Sequence, residues 1–295
     1  MTVSAVVVRW RGGSEVERCL RSLLDHGGPS LGRVVLVDSG SGDGGAERLA
    51  ARFPDIEVLA LAANRSFAHA ANVGAASCGN ELLLLLNPDA TVETGTLDAL
   101  VNEIAKSPGV AGAVPLMVGP NGEPQHRWQL RRLPTAFRLA AGLAGAPAFG
   151  RPPEVTAFVE QPAAAAWLVR RSVWQQLGGF DEAFAPAWWE DVDFCARLAG
   201  RLDDAALPAD AGFVVAPSAR VVHIGGSSVA ELGDAAFLAA WSRNLVRFAA
   251  RHHPHRTGAI AAGLRVSLMV RAVLRPARSA AYLAARRGLR RRSSA

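Results

Sequence analysis

Acidic residues are missing from the last part of this 295-residue chain, which has no Asp or Glu after residue 242. Thirteen of its 32 basic residues, all of them arginines, lie in that stretch, so the first 242 residues hold 19 basic and 26 acidic groups. The body therefore carries a net charge of −7, although the whole chain is at +6. This distribution argues against a protein whose whole surface is basic and binds nucleic acid.

Cysteine is also scarce, and the N-terminus has no long apolar run. Cys19, Cys78 and Cys195 are scattered without metal-type spacing, which argues against a disulfide framework and a zinc site and predicts buried side chains. No basic segment precedes the first apolar run, and Arg9 and Arg11 interrupt it. We therefore expect neither a signal peptide nor a membrane span at the start, and a cytosolic protein.

One apolar run organises the chain, the five leucines at 82–86 that are followed by Asn87, Pro88 and Asp89. A run without alternation is typical of a strand covered on both faces, although a buried helix fits the same run. Ligands of open α/β sheets bind beyond the carboxyl ends of the strands, so we expect Asp89 at the rim of a crevice. There it either binds a metal ion or only caps a turn.

Strand and helix patterns alternate along the body, which predicts an α/β fold with a mostly parallel sheet flanked by helices. Strands are predicted at 3–8, 34–37, 56–61, 82–86, 110–118, 163–169, 213–215 and 221–224, and helices from 14, at 46–53, 67–77, 96–106, 172–177 and 188–198, and from 234. Residues 123–160 have the least regular pattern, so we interpret them as a flap near the crevice.

The loop Gly40 to Gly45 matches the pattern G-x-G-x-x-G of dinucleotide-binding sites. Asp38 and Asp43 would place carboxylates beside a pyrophosphate, and the pattern normally follows the first strand, so we reject that interpretation. Asp38 is better suited to accept a hydrogen bond from a nucleobase N–H. The alternative is a glycine-rich turn capped by Asp43.

Two further groups of polar residues have both a structural and a functional interpretation. Glu190, Asp191 and Asp193 lie in the first turn of a predicted helix, where carboxylates gain ~0.3–1 kcal/mol from the helix dipole. The preceding rings of Trp188 and Trp189 could also desolvate a carboxylate and stack on a sugar. His223 ends a strand before a Gly-Gly-Ser-Ser loop, so it is either an ordinary buried histidine or a metal ligand.

Taken together, these motifs resemble the family 2 glycosyltransferases of the GT-A type, and particularly their bacterial rhamnosyltransferase-like branch. The resemblance extends from about Val3 to Phe248. We divide the chain into a GT-A-like nucleotide-sugar transferase domain at 1–230 and a helical basic extension at 231–295. Its motifs are Val35 to Gly44, Asn64 to Asn72, Leu83 to Asp89, Gly179 to Glu182, Glu190 to Asp193 and Val222 to Gly226.

The resemblance implies a role for each matching residue. Asp38 is similar to the base-contacting aspartate, Asp89 to the last acid of the metal-binding D-x-D motif with Asn87 in place of its first acid, and His223 to a further metal ligand. Asp191 is similar to the catalytic base, with Glu190 as its neighbour.

The chain also departs from the family pattern near the expected substrate pockets. Arg9-Trp10-Arg11 replaces an N-Y-N-like start, Arg65-Ser66 follows Asn64 where a residue and glycine are usual, and Ala165-Ala166 replaces Gly-Ala. We expect Arg9 and Asn64, together with Trp188 and Trp189, to line those pockets, so the departures affect the choice of sugar more than the type of reaction.

The activity that the resemblance implies is metal-dependent inverting transfer of a sugar, rhamnose or another hexose, to an acceptor hydroxyl in cell-surface glycan or glycolipid assembly. The donor would be dTDP-rhamnose or a UDP-sugar, the acceptor a glycan or polyprenyl-linked sugar, and the ion Mg²⁺ or Mn²⁺. Two alternatives stay open: an inactive nucleotide-sugar-binding module and a basic nucleic-acid-binding protein. The tail has few aromatic side chains for stacking on bases, so we do not expect nucleic acid.

The tail itself combines apolar residues at helical spacing with arginines. These arginines allow no uninterrupted apolar run of about 18 residues, so we predict that the tail does not span a bilayer. It fits a basic amphipathic helix in the membrane interface, where each arginine near anionic lipid adds about 1 kcal/mol. The protein would then be peripheral at the inner face of the cell membrane; the alternative is a solvated extension without a partner.

Overall fold

The computed structural model describes residues 1–203, 212–226 and 232–289, with side chains described up to residue 200 in the first range. The serines at 227 and 228 and the last three arginines of the predicted tail lie outside these residues. The strands are β1 Val3–Arg9, β2 Leu31–Asp38, β3 Glu57–Ala60, β4 Leu82–Leu86, β5 Ala90–Val92, β6 Val110–Val118, β7 Leu130–Arg131, β8 Ala157–Val159, β9 Gln161–Pro162, β10 Ala166–Arg170 and β11 Gly212–His223. The helices are α1 Ser14–His26, α2 Gly45–Arg52, α3 Phe67–Ser77, α4 Thr96–Lys106, α5 His126–Gln129, α6 Ala136–Ala140, α7 Arg171–Leu177, α8 Glu190–Asp203, α9 Asp234–His252, α10 Thr257–Leu274 and α11 Ser279–Gly288.

A nine-stranded sheet forms the centre of the described structure, in the order β3-β2-β1-β4-β10-β6-β11-β5, with β8 also paired to β11. Strands β1, β2, β3, β4, β6 and β11 share one direction, and β5, β8 and β10 run against it. The predicted mostly parallel sheet flanked by helices is confirmed. A separate two-stranded sheet joins β7 to β9.

The leucine run forms β4, which lies between β1 and β10. Leu82, Leu84 and Leu86 pack with α1 and α4 on one face, while Leu83 and Leu85 pack with α3 and the buried rings around Trp167 on the other. All five leucines are buried because helices cover both faces, and each buried leucine side chain contributes roughly 1.5–3 kcal/mol.

The strand directions bring chemically distinct side chains to one edge of the sheet. Arg9 and Asp38 end the neighbouring strands β1 and β2, Asp89 follows β4, and His223 ends β11. Gln125 follows the turn after β6, which is parallel to β11. The carboxyl ends of these strands therefore form the rim that the leucine run predicts for Asp89.

The segment 123–160, predicted as a flap, has its own short elements, α5, β7, α6 and β8. The two strands predicted at 213–215 and 221–224 are one strand, β11, with an irregularity between Ala216 and Arg220. The helix predicted from residue 188 begins at Glu190, because Trp188 and Trp189 have φ values of 70° and 82°, which are not helical.

The tail is part of the folded body. Helices α9, α10 and α11 pack on one another and on α6, and their core also contains Trp189 and Val192. Among the described residues, one helical segment, Pro254–Leu274, is long and apolar enough by composition to cross a membrane, with a hydropathy of 1.5. Arg265 and Arg271 interrupt the 18 residues of α10, and the prediction that the tail does not span a bilayer stays a prediction.

Candidate active site

A cleft lies at the carboxyl edge of the sheet and has two lobes, of about 850 and 640 Å³. The first lobe is lined by residues that follow β1 and β2, and the second by the flap and the start of α8. Both are lined by Phe67, Asn87, Asp89, Ala187 and Trp188, so they meet at the end of the leucine strand. A ligand can therefore occupy each lobe with its reacting end near Asp89.

Asp89 and His223 form a buried pair at this junction. The Asp89 Oδ1 atom lies 3.4 Å from His223 Nε2, and the Gly225 N–H donates to Asp89 Oδ2 at 3.1 Å. The two side chains are 8% and 3% exposed as residues, and pairing of β5 with β11 places them together. Burial raises the pKa of Asp89, but hydrogen bonding to His223 and its charge outweigh this, so the carboxyl pKa is lowered.

The ring of His223 is fixed by the flap. Its Nδ1 lies 3.0 Å from Gln125 Oε1, and Gln125 Nε2 donates to the His223 carbonyl at 2.8 Å. Trp128 stacks on the ring, with 5.3 Å between centroids and 14° between planes. An amide oxygen accepts hydrogen bonds only, so we assign a proton to Nδ1. The Nε2 atom, which faces Asp89, then either carries the second proton of a charged ring or presents a lone pair.

This arrangement fits a divalent cation. A carboxylate oxygen and an imidazole lone pair attract each other only with a cation between them, either a second ring proton or a metal ion. The described residues contain no group of three or more His, Cys, Asp or Glu side chains placed to hold a metal. Asp89 and His223 would therefore hold an ion whose other ligands come from the substrate or water, as is usual for Mg²⁺ at phosphates.

Asp191 begins α8 and lines the second lobe. Its Oδ2 accepts from Gln161 Nε2 at 3.2 Å and lies 3.6 Å from Arg131 Nη2, while Oδ1 accepts from the Val192 N–H at 2.8 Å. The β7–β9 pair holds Arg131 and Gln161 side by side. Asp191 is therefore oriented by the flap and remains open to the cleft, as a proton acceptor must be.

The two other acids of this turn have different surroundings. Burial, and then the charge of Asp191, raises the pKa of Glu190 well above its ordinary range, and its Oε2 has no hydrogen-bond partner among the described residues. Asp193 is fully buried and binds Arg197 at 2.7 Å and His252 at 2.8 Å. Asp193 therefore anchors α8 to α9.

The two tryptophans before α8 do not behave alike. Trp188 lines both lobes and meets Phe237 of α9 edge to face, with ring centroids 4.6 Å apart. Trp189 is 2% exposed, and its ring packs against Trp241 and Phe248 of α9. A sugar-stacking role therefore fits Trp188. Trp189 lines the second lobe but is buried against α9, and the stacking role predicted for it stays a prediction.

The loop that carries these tryptophans is held by one amide from α9. Asn244 Nδ2 donates to the carbonyls of Ala185, Ala187 and Trp188 at 3.4, 3.0 and 3.1 Å. Asn244 is fully buried. The helix that follows the predicted domain boundary at residue 230 therefore shapes the wall of the cleft.

Asp38 and Arg9 form a second buried pair, at the ends of β1 and β2. Arg9 Nη1 donates to Asp38 Oδ2, Arg9 Nη2 donates to Asp43 at 2.7 Å, and the Ser41 N–H donates to Asp38 Oδ1 at 2.8 Å. Arg9 and Asp38 are 1% and 4% exposed. The guanidinium lies against Gly45, where any Cβ would collide with it. The loop from Gly40 to Gly45 therefore packs around the guanidinium of Arg9.

The wall of the first lobe near these residues is formed by Trp10, Arg11, Ser39 and Asn64. Arg11 lies over the Trp10 ring, 5.1 Å from its centroid, and Ser39 Oγ donates to Asn64 Oδ1 at 3.2 Å. Asn64 is therefore in the cleft as predicted for a substrate-binding residue, whereas Arg9 lies behind the wall. The roles predicted for Asp38 and Arg9 in substrate binding stay predictions.

Sequence reasoning missed three residues that line the cleft, Gln125, Trp128 and Arg131, and Asn244, which holds its wall. The first three lie in the flap, whose irregular pattern gives no register, and the fourth lies in a helix beyond the recognised motifs. Their only sequence signal is the unusual polar and aromatic content of 125–131, Gln-His-Arg-Trp-Gln-Leu-Arg. All three cysteines are free and buried, as predicted.

Known proteins resemble this chain in sequence and in fold. The family model "Glycosyl transferase family 2" matches residues 4–159. The N-acetylglucosaminyl-diphospho-decaprenol L-rhamnosyltransferase of Mycobacterium tuberculosis is 31% identical over 307 residues, which cover 92% of this chain and 94% of that protein. The pre-mycofactocin glycosyltransferase of the same organism is 32% identical over 169 residues, 56% of this chain and 33% of its own length.

Two solved structures share the fold at 18% identity. One is GalNAc-T7 with UDP, GalNAc and Mn²⁺, with a TM-score of 0.61 over 84% of this chain and 50% of that one. The other is the mannosyltransferase PcManGT from Pyrobaculum calidifontis with GDP-Man and Mn²⁺, with a TM-score of 0.57 over 96% and 73%. From the family match and the near full-length relative, this chain belongs to Glycosyl transferase family 2 and is a glycosyltransferase.

Proposed function

We propose that this glycosyltransferase moves L-rhamnose from a dTDP- or UDP-linked donor to a hydroxyl of a polyprenyl-diphosphate-linked sugar, with inversion. The observation that carries the proposal is the cleft itself, because the Asp89–His223 pair lies where its two lobes meet and Asp191 lines the second lobe. The relative that covers 92% of this chain is named for rhamnosyl transfer to a decaprenol-linked N-acetylglucosamine, which supports the same sugar and class of acceptor.

The first lobe is the candidate donor site. Trp10 offers an aromatic face for a nucleobase beside Arg11, and Ser39 and Asn64 offer polar groups to the nucleoside. Asp38 lies behind this wall with its charge balanced by Arg9. The predicted contact of Asp38 with the N3–H of thymine or uracil therefore requires that a lone pair not used by Arg9 or Ser41 reaches the base.

The junction of the lobes is the candidate site for the donor diphosphate and a divalent ion, Mg²⁺ or Mn²⁺. Asp89 and His223 would bind this ion, which when present neutralises charge on the leaving diphosphate. Asn87 lines the same junction but adds no charge. With a single carboxylate there, the protein would bind the ion weakly alone and more tightly together with the nucleotide.

Asp191 is the candidate general base. Its carboxylate would take the proton of the acceptor hydroxyl as that oxygen attacks the anomeric carbon, the bond to the diphosphate breaks and the configuration inverts. Gln161 and Arg131 hold Asp191 Oδ2, which fixes the carboxylate for this transfer. Trp188, exposed to both lobes, is the aromatic side chain placed to contact a sugar ring between donor and acceptor.

The place of action follows from the acceptor. A lipid-linked sugar is presented at a membrane surface, so we propose that the protein works at the cytoplasmic face in assembly of a cell-surface glycan. The basic C-terminal helices are proposed to contact anionic lipid there.

An assay with dTDP-rhamnose, Mn²⁺ and a short-chain prenyl-diphosphate-linked N-acetylglucosamine tests the proposed function. We expect release of dTDP with formation of a disaccharide, and loss of both when the ion is chelated. GDP-mannose serves as the control donor and should not react. Nucleotide binding without any release of nucleoside diphosphate would instead indicate an inactive nucleotide-sugar-binding module.

A further inference from the structure

Helix α10 has a second apolar stripe that the described part of the chain leaves exposed. Ile260, Leu264 and Leu268 form the buried stripe. On the other side, Val266, Val270 and Val273 are 64%, 50% and 74% exposed at spacings of four and three residues, and Leu274 is 72% exposed. Residues three and four apart share one helix face, so these side chains form a continuous strip. An exposed apolar strip of this kind marks an interaction site.

The flap contacts α10 beside this strip. Ser267 Oγ donates to the Ala141 carbonyl at 2.7 Å, and Arg271 Nη2 donates to the carbonyls of Ala141 and Gly142 at 3.1 and 3.0 Å. Next to these contacts, Phe137 is 81% exposed and Leu143 39%. Val270 and Leu274 lie three positions beyond Ser267 and Arg271, on the same side of α10. We define the outer apolar surface as Phe137, Leu143, Val266, Val270, Val273 and Leu274.

The charges around this surface are positive. Arg271 is half-buried beside it and Arg275, which follows α10 directly, is exposed. Between residues 232 and 289 the only acid is Asp234, and it forms an ion pair with Arg278 at 2.6 Å. An apolar centre with an arginine rim complements an anionic lipid interface. A symmetric dimer through this surface would bring the same arginines face to face, which is unfavourable.

We propose that the outer apolar surface docks this protein onto an anionic bilayer, with α10 lying in the interface instead of crossing it. A crossing helix would have to release the contacts of Ser267 and Arg271 and uncover its buried stripe. Docking through α10 and the flap also orients the cleft, because Ala144, adjacent to Leu143, lines the second lobe. This orientation places the second lobe beside the lipid headgroups. If the proposed function is right, the lipid-linked acceptor enters the cleft from there.

Flotation with vesicles of phosphatidylglycerol and phosphatidylcholine tests the docking surface in the full-length protein. The double variant Val270→Glu/Val273→Glu should lower the partition coefficient about 10- to 100-fold, because two apolar contacts are lost and two like charges face the lipid. Phe137→Ser, in the flap, should lower it by a smaller factor. The matched control is Leu24→Glu on α1, which is 39% exposed and covers the opposite face of the sheet, and it should bind as the unaltered protein does.

Three outcomes would overturn the docking proposal: equal partition of the double variant and the unaltered protein, resistance of bound protein to an alkaline wash as for a spanning helix, or a dimer in solution that the double variant dissociates. Turnover of a water-soluble acceptor without lipid separates this proposal from the proposed function. The double variant should retain that turnover. An unaltered protein that turns over the soluble acceptor but ignores vesicles would remove the docking surface and leave the transferase assignment intact.

Discussion

Asp38 and Asp89 are both buried carboxylates at the carboxyl edge of the sheet, and they differ in the cation that faces them. Asp38 meets Arg9, whose guanidinium stays protonated at any working pH. Asp89 meets His223, whose Nε2 can hold a proton, coordinate a metal ion or hold neither. Because the charge of Arg9 is permanent, the Arg9–Asp38 pair is a fixed part of the wall. The exchangeable cation leaves the second pair able to bind a metal.

Asp191 completes the comparison because its cation is farther away. Arg131 lies 3.6 Å from its carboxylate, and the other contacts come from neutral groups. Asp38 is therefore neutralised by its partner, Asp89 has an exchangeable cation beside it, and Asp191 is the most available to a ligand in the cleft. The residue type is the same in each case, so the partner sets the role that we propose for each aspartate: Asp38 supports the fold, Asp89 binds an ion and Asp191 accepts a proton.

The largest effect is expected from the available carboxylate. Asp191→Asn keeps the shape of the side chain but cannot accept a proton, so kcat should fall about 10²–10⁴-fold. Donor affinity, measured by calorimetry with Mn²⁺, should stay nearly unchanged. Near-normal turnover would contradict the assignment of Asp191 as the base.

Removal of the permanent cation should affect stability before it affects binding. Arg9→Ala leaves the Asp38 carboxylate buried and unpaired, so the free energy of unfolding should fall by about 3–5 kcal/mol. Urea denaturation measures this change. The control is Arg33→Ala, which breaks the exposed pair with Glu57 on the neighbouring strand and should cost about 0–1 kcal/mol. Equal losses in the two variants would show that Arg9 does not neutralise a buried charge.

The exchangeable pair depends on the residue that orients its histidine. Gln125→Ala should weaken Mn²⁺ binding in the presence of dTDP about 10- to 100-fold, because the His223 ring is no longer held with Nε2 towards Asp89. Electron paramagnetic resonance of free Mn²⁺ reports the affinity without turnover. Glu123→Ala, an exposed neighbour in the same turn, should bind Mn²⁺ as before. An unchanged affinity in Gln125→Ala would remove the amide from the site.

The smallest effect concerns Glu190, a buried carboxyl group that forms no ion pair with the residues that the structure describes. Burial raises the pKa of Glu190, so the folded state keeps its proton above about pH 4.3, where the unfolded chain releases it. Stability contributed by the protonated group is therefore lost as pH rises towards the folded-state pKa. Glu190→Gln should be stabilised relative to the unaltered protein by an amount that grows with pH in urea titrations. Parallel profiles would contradict this.

Local patterns predicted the elements that belong to the body. Helices α3 and α4 and the leucine strand have the predicted bounds, because their apolar spacing and their flanking residues agree on one structure. The motifs selected Asp89, Asp191 and His223 as candidate site residues, and all three line the second lobe of the cleft. What local patterns could not predict is which side chains meet across the fold.

The partners of these residues show the limit. Arg9 is 29 residues from Asp38, Gln125 is 98 from His223, and Arg131 is 60 from Asp191, so no spacing rule connects them. The different surroundings of Trp188 and Trp189 also depend on a distant element. Trp241 and Phe248 of α9 bury the Trp189 ring, whereas Phe237 of α9 meets the Trp188 ring, which lines both lobes. The sequence around Trp188 and Trp189 does not predict this difference, which arises only when the chain is packed.

The amide of Asn244 has a consequence for building hybrids of this enzyme. Because its three hydrogen bonds hold the loop at 185–188 from a helix beyond the recognised motifs, a chimera joined near residue 231 would pair one parent's loop with the other parent's clamp. A junction after His252, where α9 ends, keeps loop and clamp from one parent. The segment that has to come from one parent therefore includes helix α9, which lies beyond the recognised motifs.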